Sequence, residues 1–320
     1  MMRSEFDFIQ HIKKKYGLNH IGDDGAVLPK DAETDIVITS DMLVQDIDFR
    51  IDWTTPKTLG QKALAVSLSD VGAMGAIPKW AMLSIGVPDE IWKSTFLDEF
   101  YDGWHLEAGK FSVELVGGDV SKTPTGLVID STVWGEVPKG EAVFRSGAKP
   151  GHGIYVTGEL GGAAAGLRLL EEGFRFSESN GARYNSLLLR QLQPFPHART
   201  GAQIRSEFSP SAMIDLSDGL SSDLAHICRA SGVGAVIDAT KIPIHRKLKR
   251  IFRQHDEQLE MALNGGEDFE LLFTVDEEKT SGKKLSQFFR IGEVATNVGT
   301  IELIDGGNTR VLEPEGYRHF

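Results

Sequence analysis

The chain has 320 residues, with 46 acidic and 34 basic side chains, a formal net charge of −12, 41% hydrophobic and 25% charged residues. This composition excludes a disordered or fibrous chain, and the acidic surplus argues against a general nucleic-acid binder, whose affinity needs clustered Lys and Arg. No stretch nears the roughly 18 apolar residues of a membrane span, the N-terminus (Met1 to Glu5) has no apolar signal core, and one cysteine, Cys228, allows neither an internal disulfide nor a Cys-based zinc site, so a cytoplasmic protein with no membrane or nucleic-acid partner is expected.

Along the first half, apolar strand-like runs alternate with amphipathic stretches, the pattern of mixed α/β architecture. Residues 36–39, 80–87, 113–116 and 127–134 read as strands. Residues 56–74 read as a helix, with Thr55 as N-cap and Pro56 at the first helical position. Residues 92–110 read as a second helix. The Gly- and Pro-rich segment at 138–150 marks a boundary, giving two domains, 1–140 and 141–320. The second half restarts with a strand at 154–157, a glycine-rich turn and a helix, and carries further strands at 212–214, 235–237 and 269–275. Cys228 reads as a buried thiol in a helix, and the basic run His245 to Arg250 as a solvated face.

The usual phosphate loops are missing. Gly158-Glu159-Leu160-Gly161-Gly162 follows a strand and opens a helix, but its spacing is not G-x-G-x-x-G and reads as a tight turn rather than a cofactor cradle. Neither a P-loop nor a kinase catalytic loop occurs. Aspartates instead recur at the ends of apolar or glycine-rich runs: Asp23-Asp24, Asp41, Asp70, Asp119, Asp215 with Asp218, and Glu267-Asp268. Singly, most fit a turn or a helix N-cap. Asp70 does not, because it lies in a small, apolar helix where a carboxylate is costly unless a cation or several donors face it. Together they suit hard divalent cations, which take oxygen ligands and share them with substrate phosphates. An acidic protein facing polyphosphate needs such ions, since two unit charges about 4 Å apart repel by roughly 4 kcal/mol at an effective dielectric near 20.

These segments, in this order and spacing, resemble the thiamine-monophosphate kinase family, which shares a superfamily with aminoimidazole-ribonucleotide synthetase. The resemblance runs nearly end to end. It is carried by Ile21-Gly22-Asp23-Asp24-Gly25, Thr39-Ser40-Asp41, Lys62 to Ala76, Val116-Gly117-Gly118-Asp119, Arg145 to Gly151, Ile214 to Leu220, Gly265 to Leu271 and the terminal Gly316 to Phe320. It implies a two-domain α/β fold with mixed sheets, an N-terminal dimerisation domain and a C-terminal α/β domain, with ATP in the cleft between them. It also implies Mg²⁺-dependent transfer of phosphate from ATP to thiamine monophosphate, giving thiamine diphosphate, in a homodimer.

By the same resemblance Asp24, Thr39, Ser40, Asp41, Asp70, Asp119, Asp215 and Asp218 are metal positions. Asp70, Asp119 and Asp215 are central to catalysis. Gly118, Asp119, Arg145 and Ser217 contact ATP, while Asp48, Glu267 and Tyr317 lie on the substrate side. The nucleophile is already an anionic phosphate oxygen near neutral pH, so positioning and charge neutralisation suffice and no general base is required.

Three positions depart from the family pattern. Asp48 stands where the family usually has histidine, His152 replaces an aspartate after Pro150-Gly151, and Pro314-Glu315 precede Gly316 where an aromatic is common. The lack of a terminal cysteine sets aside the selenophosphate synthetase and hydrogenase-maturation branches. A related enzyme acting on another phosphorylated heterocycle, and a nucleotide or metal sensor without turnover, are the competing readings.

Overall fold

The structure, a computed structural model, describes residues 5–177, 181–280 and 285–317. The first four residues and the last three of the terminal motif, Arg318 to Phe320, lie outside the described residues. After α1 (Glu5–Tyr16), the first layer contains β1 (Ala26–Pro29), β2 (Thr34–Val44), α2 (Pro56–Ala73), β3 (Ile77–Val87), α3 (Asp89–Trp92), α4 (Phe96–Phe111), β4 (Glu114–Lys122) and β5 (Val128–Pro138). The second contains β6 (Gly153–Val156), α5 (Gly162–Glu171), α6 (Ala182–Leu192), α7 (Ala198–Phe208), β7 (Ala212–Asp215), α8 (Leu220–Ser231) and β8 (Gly234–Asp238). It ends with α9 (Leu248–Ile251), α10 (His255–Asn264), β9 (Leu271–Val275), β10 (Phe289–Ala295), β11 (Ile301–Asp305) and β12 (Asn308–Val311).

Two mixed sheets result, a five-stranded one in the order β1-β2-β5-β3-β4 and a seven-stranded one in the order β12-β11-β8-β10-β6-β9-β7. No helix among the described residues is long and apolar enough to cross a membrane.

Helix α2 begins as its sequence dictates: Thr55 accepts the N–H of Thr58 at 3.1 Å and Pro56 opens the first turn. It is buried on almost every side, from Leu59 to Ala73, because it fills the space between the five-stranded sheet, α4 and the second domain. Its contact with α7 is backbone-close. A Cβ at Gly201 would lie 1.9 Å from the Gly72 carbonyl oxygen, so only glycine allows this crossing. That crossing brings the end of α2 beside the end of β7 and couples the domains.

Several elements differ from the sequence reading. The expected helix 92–110 starts later, as α4 at Phe96, because Ser94 donates to Ile91 O at 2.8 Å, closing α3 at Trp92, and accepts the N–H of Phe96 at 3.2 Å. Strand β2 runs through Asp41 and β4 through Gly117-Gly118-Asp119, so these residues stand within strands, not after them. Gly118 pairs across from Leu83 at φ +151, and a Cβ there would meet the Leu83 carbonyl oxygen at 1.9 Å. Strand β9 starts at Leu271, because Phe269 takes φ +51. Cys228 is 2% exposed in α8, as expected. The basic run is divided: Arg246 faces solvent while Leu248 is fully buried.

Candidate active site

Three carboxylates from three elements converge at the domain junction. Asp24 comes from the loop before β1, Asp70 from the last turn of α2 and Asp215 from the end of β7, and each offers an oxygen within 4.8 Å of the others. Local donors fix them. Thr39 Oγ1 on β2 donates to Asp70, Ser69 Oγ donates to Asp215 at 2.5 Å, and Arg145 Nε donates to Asp24 at 2.9 Å. The Arg145 N–H also binds Asp23 at 3.1 Å.

The cluster is electrostatically unbalanced, with the Arg145 guanidinium against five carboxylates, Asp23, Asp24, Asp41, Asp70 and Asp215. Burial, then repulsion by Asp41, Asp215 and Asp24, pushes the Asp70 carboxyl well above its ordinary range. Burial, then Asp24, pushes Asp215 up to about 8, and burial, with Asp130 and Asp24, pushes Asp41 up to about 6. Two buried oxygens, Asp24 Oδ2 and Asp41 Oδ2, have no hydrogen-bond partner. Orphaned buried carboxylate oxygens beside a crowded trio are donors that could hold a hard divalent cation.

A second group lies at the start of α8, where Asp218, Asp223 and His226 also bring ligand atoms within 4.8 Å. Asp223 accepts the N–H groups of Asp218 and Gly219 at 3.2 and 3.0 Å, which fixes the Ser217-Asp218-Gly219 turn. The glycine-rich turn before α5 does something else. The carboxylate of Asp268 accepts the N–H of Gly161 at 2.5 Å and that of Ala163 at 3.0 Å. A protein carboxylate therefore fills the place a phosphate would take, and the loop is the tight turn its spacing predicts.

A cavity of about 830 Å³ opens between the domains beside the trio. Its wall includes Asp41, Ser217 and Asp218, together with Lys62, Gln191, Glu267, Asp48, Trp53 and Tyr317. Asp48 Oδ2 accepts the Val44 N–H at 2.7 Å, closing the turn after β2. Burial, then the charges of Asp48, Glu267 and Asp218, raises the Tyr317 hydroxyl, whose residue is anchored by its N–H to Asp218 O at 3.1 Å.

The chain does not bring every expected residue together. Pairing places Asp119 opposite Ser84 on the outer face of the five-stranded sheet, whereas α2 covers the inner face; Asp119 is exposed on the edge strand β4. Ser40 also points outward, bonding Thr132 Oγ1 at 2.9 Å, while its neighbours Thr39 and Asp41 turn inward. Lys62, Gln191, Asp223 and His226 join the site without having been singled out. For Asp223 and His226 the i, i+3 spacing on one helix face was an available signal. Lys62 and Gln191 carry none, because their roles arise from packing.

The family described as AIR synthase related protein, N-terminal domain, matches residues 22–137, and its C-terminal domain counterpart matches residues 149–304. The chain is similar to the thiamine-monophosphate kinase of Bacillus subtilis (strain 168), at 35% identity over 99% of both chains. It is 39% identical to that of Escherichia coli (strain K12), over 94% of this chain and 91% of the relative. Among solved structures, AaThiL complexed with AMPPCP and TMP matches with a TM-score of 0.88 and 32% identity, covering 100% of this chain and 99% of its own. Matched over its whole length in sequence and fold, the chain belongs to the thiamine-monophosphate kinase family of AIR synthase related proteins.

Proposed function

We propose that the protein transfers the γ-phosphoryl group of ATP to thiamine monophosphate, forming thiamine diphosphate and ADP. The observation that carries this reading is the meeting of Asp24, Asp70 and Asp215 at ligand spacing, with two orphaned carboxylate oxygens, beside an interdomain cavity that Asp41, Ser217 and Asp218 line. An oxygen of the acceptor phosphate attacks the γ-phosphorus, forming the new P–O bond. The bond from that phosphorus to the bridging oxygen breaks, and ADP leaves with its electron pair. No general base is needed, because the acceptor oxygen is anionic near neutral pH.

Asp24, Asp41, Asp70 and Asp215 would hold magnesium, with Thr39 orienting Asp70 and Asp218 contributing from the α8 turn. Bound magnesium supplies the positive charge that lets polyphosphate approach these carboxylates. Arg145 and Ser217 lie on the ATP side. Glu267, Tyr317 and Asp48, which line the same cavity as Ser217, would face the acceptor.

The remaining expected residues support an assembly. Ser40, Gly118 and Asp119 lie on the outer face or edge of the first sheet, beside exposed Met42, Met82 and Val116. We read this face as the homodimer surface of a cytoplasmic enzyme, with residues 1–140 dimerising and Asp119 serving the partner's site. Mixing inactive Asp70→Asn and Asp119→Asn subunits should then restore part of the activity; no recovery in mixed dimers would refute sharing.

The reaction is tested by incubating protein with ATP, magnesium and thiamine monophosphate, following thiamine diphosphate and ADP. Thiamine in place of the monophosphate, and omission of magnesium, serve as controls. Nucleotide binding without product would refute the proposed reaction.

A further inference from the structure

We propose that Lys62 is a positioning residue for the acceptor, setting the Glu267 carboxylate from across the domain junction; this rests on the reading that Glu267 faces thiamine monophosphate. Lys62 is 4% exposed, and a buried ammonium needs a counter-charge. Its Nζ lies 2.7 Å from Glu267 Oε1 and donates to Gln191 O at 3.3 Å.

Glu267 needs such a restraint. It takes φ +63, a conformation that residues with a Cβ rarely adopt, in the short link between α10 and β9. Its N–H donates to Ser217 O at 2.8 Å, and Gln191 Nε2 donates to its other carboxylate oxygen. The side chain is thus held from α2, from α6 and from the turn that carries Ser217 and Asp218. All of these residues line the one cavity.

The pairing has two consequences. First, Lys62 offsets the Glu267 charge, so the carboxylate can accept a hydrogen bond from the acceptor's heterocycle without adding a field that repels its phosphate. Second, Lys62 and Asp70 belong to one helix. Eight residues at 1.5 Å place them about 12 Å apart along its axis, so α2 sets the distance between the carboxylate trio and the acceptor contact. An acceptor is gauged by one rigid element at both ends.

The test compares wild type, Lys62→Met, Lys62→Arg, Glu267→Gln and the double variant Lys62→Met/Glu267→Gln, using calorimetric binding of thiamine monophosphate together with steady-state kinetics. Lys62→Met should weaken thiamine monophosphate binding and raise its KM by about tenfold, with KM for ATP within about twofold, and Lys62→Arg should restore most of the loss. In the Glu267→Gln background, Lys62→Met should add less than about twofold, since the partner is already gone.

Unchanged acceptor affinity in Lys62→Met would overturn the proposal. So would an equal rise in both KM values, accompanied by a lower Tm, that arginine fails to repair. If Lys62→Met does not fold, the double variant, which removes both charges, is compared with Glu267→Gln: similar affinity supports the proposal and a further tenfold loss refutes it. Wild-type protein that binds thiamine monophosphate but makes no product would refute the reaction and leave the Lys62 comparison readable by calorimetry. Wild-type protein that does not bind it would overturn both.

Discussion

Replacing Asp215 by asparagine should stabilise the metal-free protein at neutral pH while abolishing its response to magnesium. Asp215 is 2% exposed, and its carboxyl is pushed from an ordinary 3.8 to about 8, by burial first and by Asp24 next. The sign follows from proton linkage. Below pH 3.8 the group is protonated folded and unfolded, and no stability is lost. Above that, the unfolded chain releases its proton while the folded chain keeps it, so stability falls by about 1.4 kcal/mol per pH unit until the folded group ionises near pH 8.

At pH 7 the loss is roughly 4 kcal/mol, from about three units at that slope. Coulomb's law gives a consistent picture. At the 4.8 Å limit the Asp24 carboxylate repels an ionised Asp215 by roughly 3–4 kcal/mol at an effective dielectric near 20, and burial adds to that, so the cost of ionising is of the same order as the cost of keeping the proton. Asparagine keeps the shape and can still accept from Ser69. The variant should gain roughly 2–4 kcal/mol at pH 7, seen as a Tm raised by several degrees in chelator, and roughly 1 kcal/mol at pH 5. Adding magnesium should raise the wild-type Tm and leave the variant's nearly unchanged. Thermal unfolding at both pH values, with chelator or magnesium, measures this. A variant less stable than wild type in chelator at pH 7, or one with the wild-type magnesium shift, would refute the reasoning.

Three further outcomes are expected. Gly201→Ala places a Cβ 1.9 Å from Gly72 O, so it should force α7 off α2, lower stability by about 1–3 kcal/mol in urea unfolding and reduce turnover; native-like stability would show that the crossing can relax. Asp268→Ala leaves the N–H groups of Gly161 and Ala163 without their carboxylate and should cost about 2–3 kcal/mol in the same assay, a loss under about 0.5 contradicting its role as the turn's internal anion. Asp48→His should change kcat by less than about threefold, with its effect confined to KM for thiamine monophosphate, because Val44 N holds Asp48 about 10 Å along β2 from Asp41. A kcat raised tenfold or more would mean that Asp48 opposes the transferring phosphate.

Much of the fold is legible locally. The Thr55-Pro56 start of α2 follows from capping chemistry, and the tight turn at Gly161 from glycine spacing. Other elements differ from their local pattern where a single residue carries two opposing signals. Ser94 delays to Phe96 the helix expected from Trp92, and Gly117-Gly118 resembles a turn until pairing with Leu83 makes it strand. Asp23-Asp24 reads as a turn in isolation, yet Asp24 is buried against Arg145, which lies 121 residues later.

The sequence by itself determined the class of chemistry. Acidic residues outnumber every alternative ligand at the ends of apolar runs, the usual phosphate loops are missing, and the order of the segments specifies the family. Which carboxylates meet was decided only in three dimensions. Ser69 and Asp215 are 146 residues apart, and they bond because α2 can approach α7 as closely as Gly72 and Gly201 permit. The same packing buries Lys62 against Glu267, while the alternation of side chains along the first sheet turns Asp41 inward and Asp119 outward. Caps and turns depend on neighbours within a few residues and can be read from the chain. A site assembled across a domain junction depends on backbone distances that no local pattern encodes.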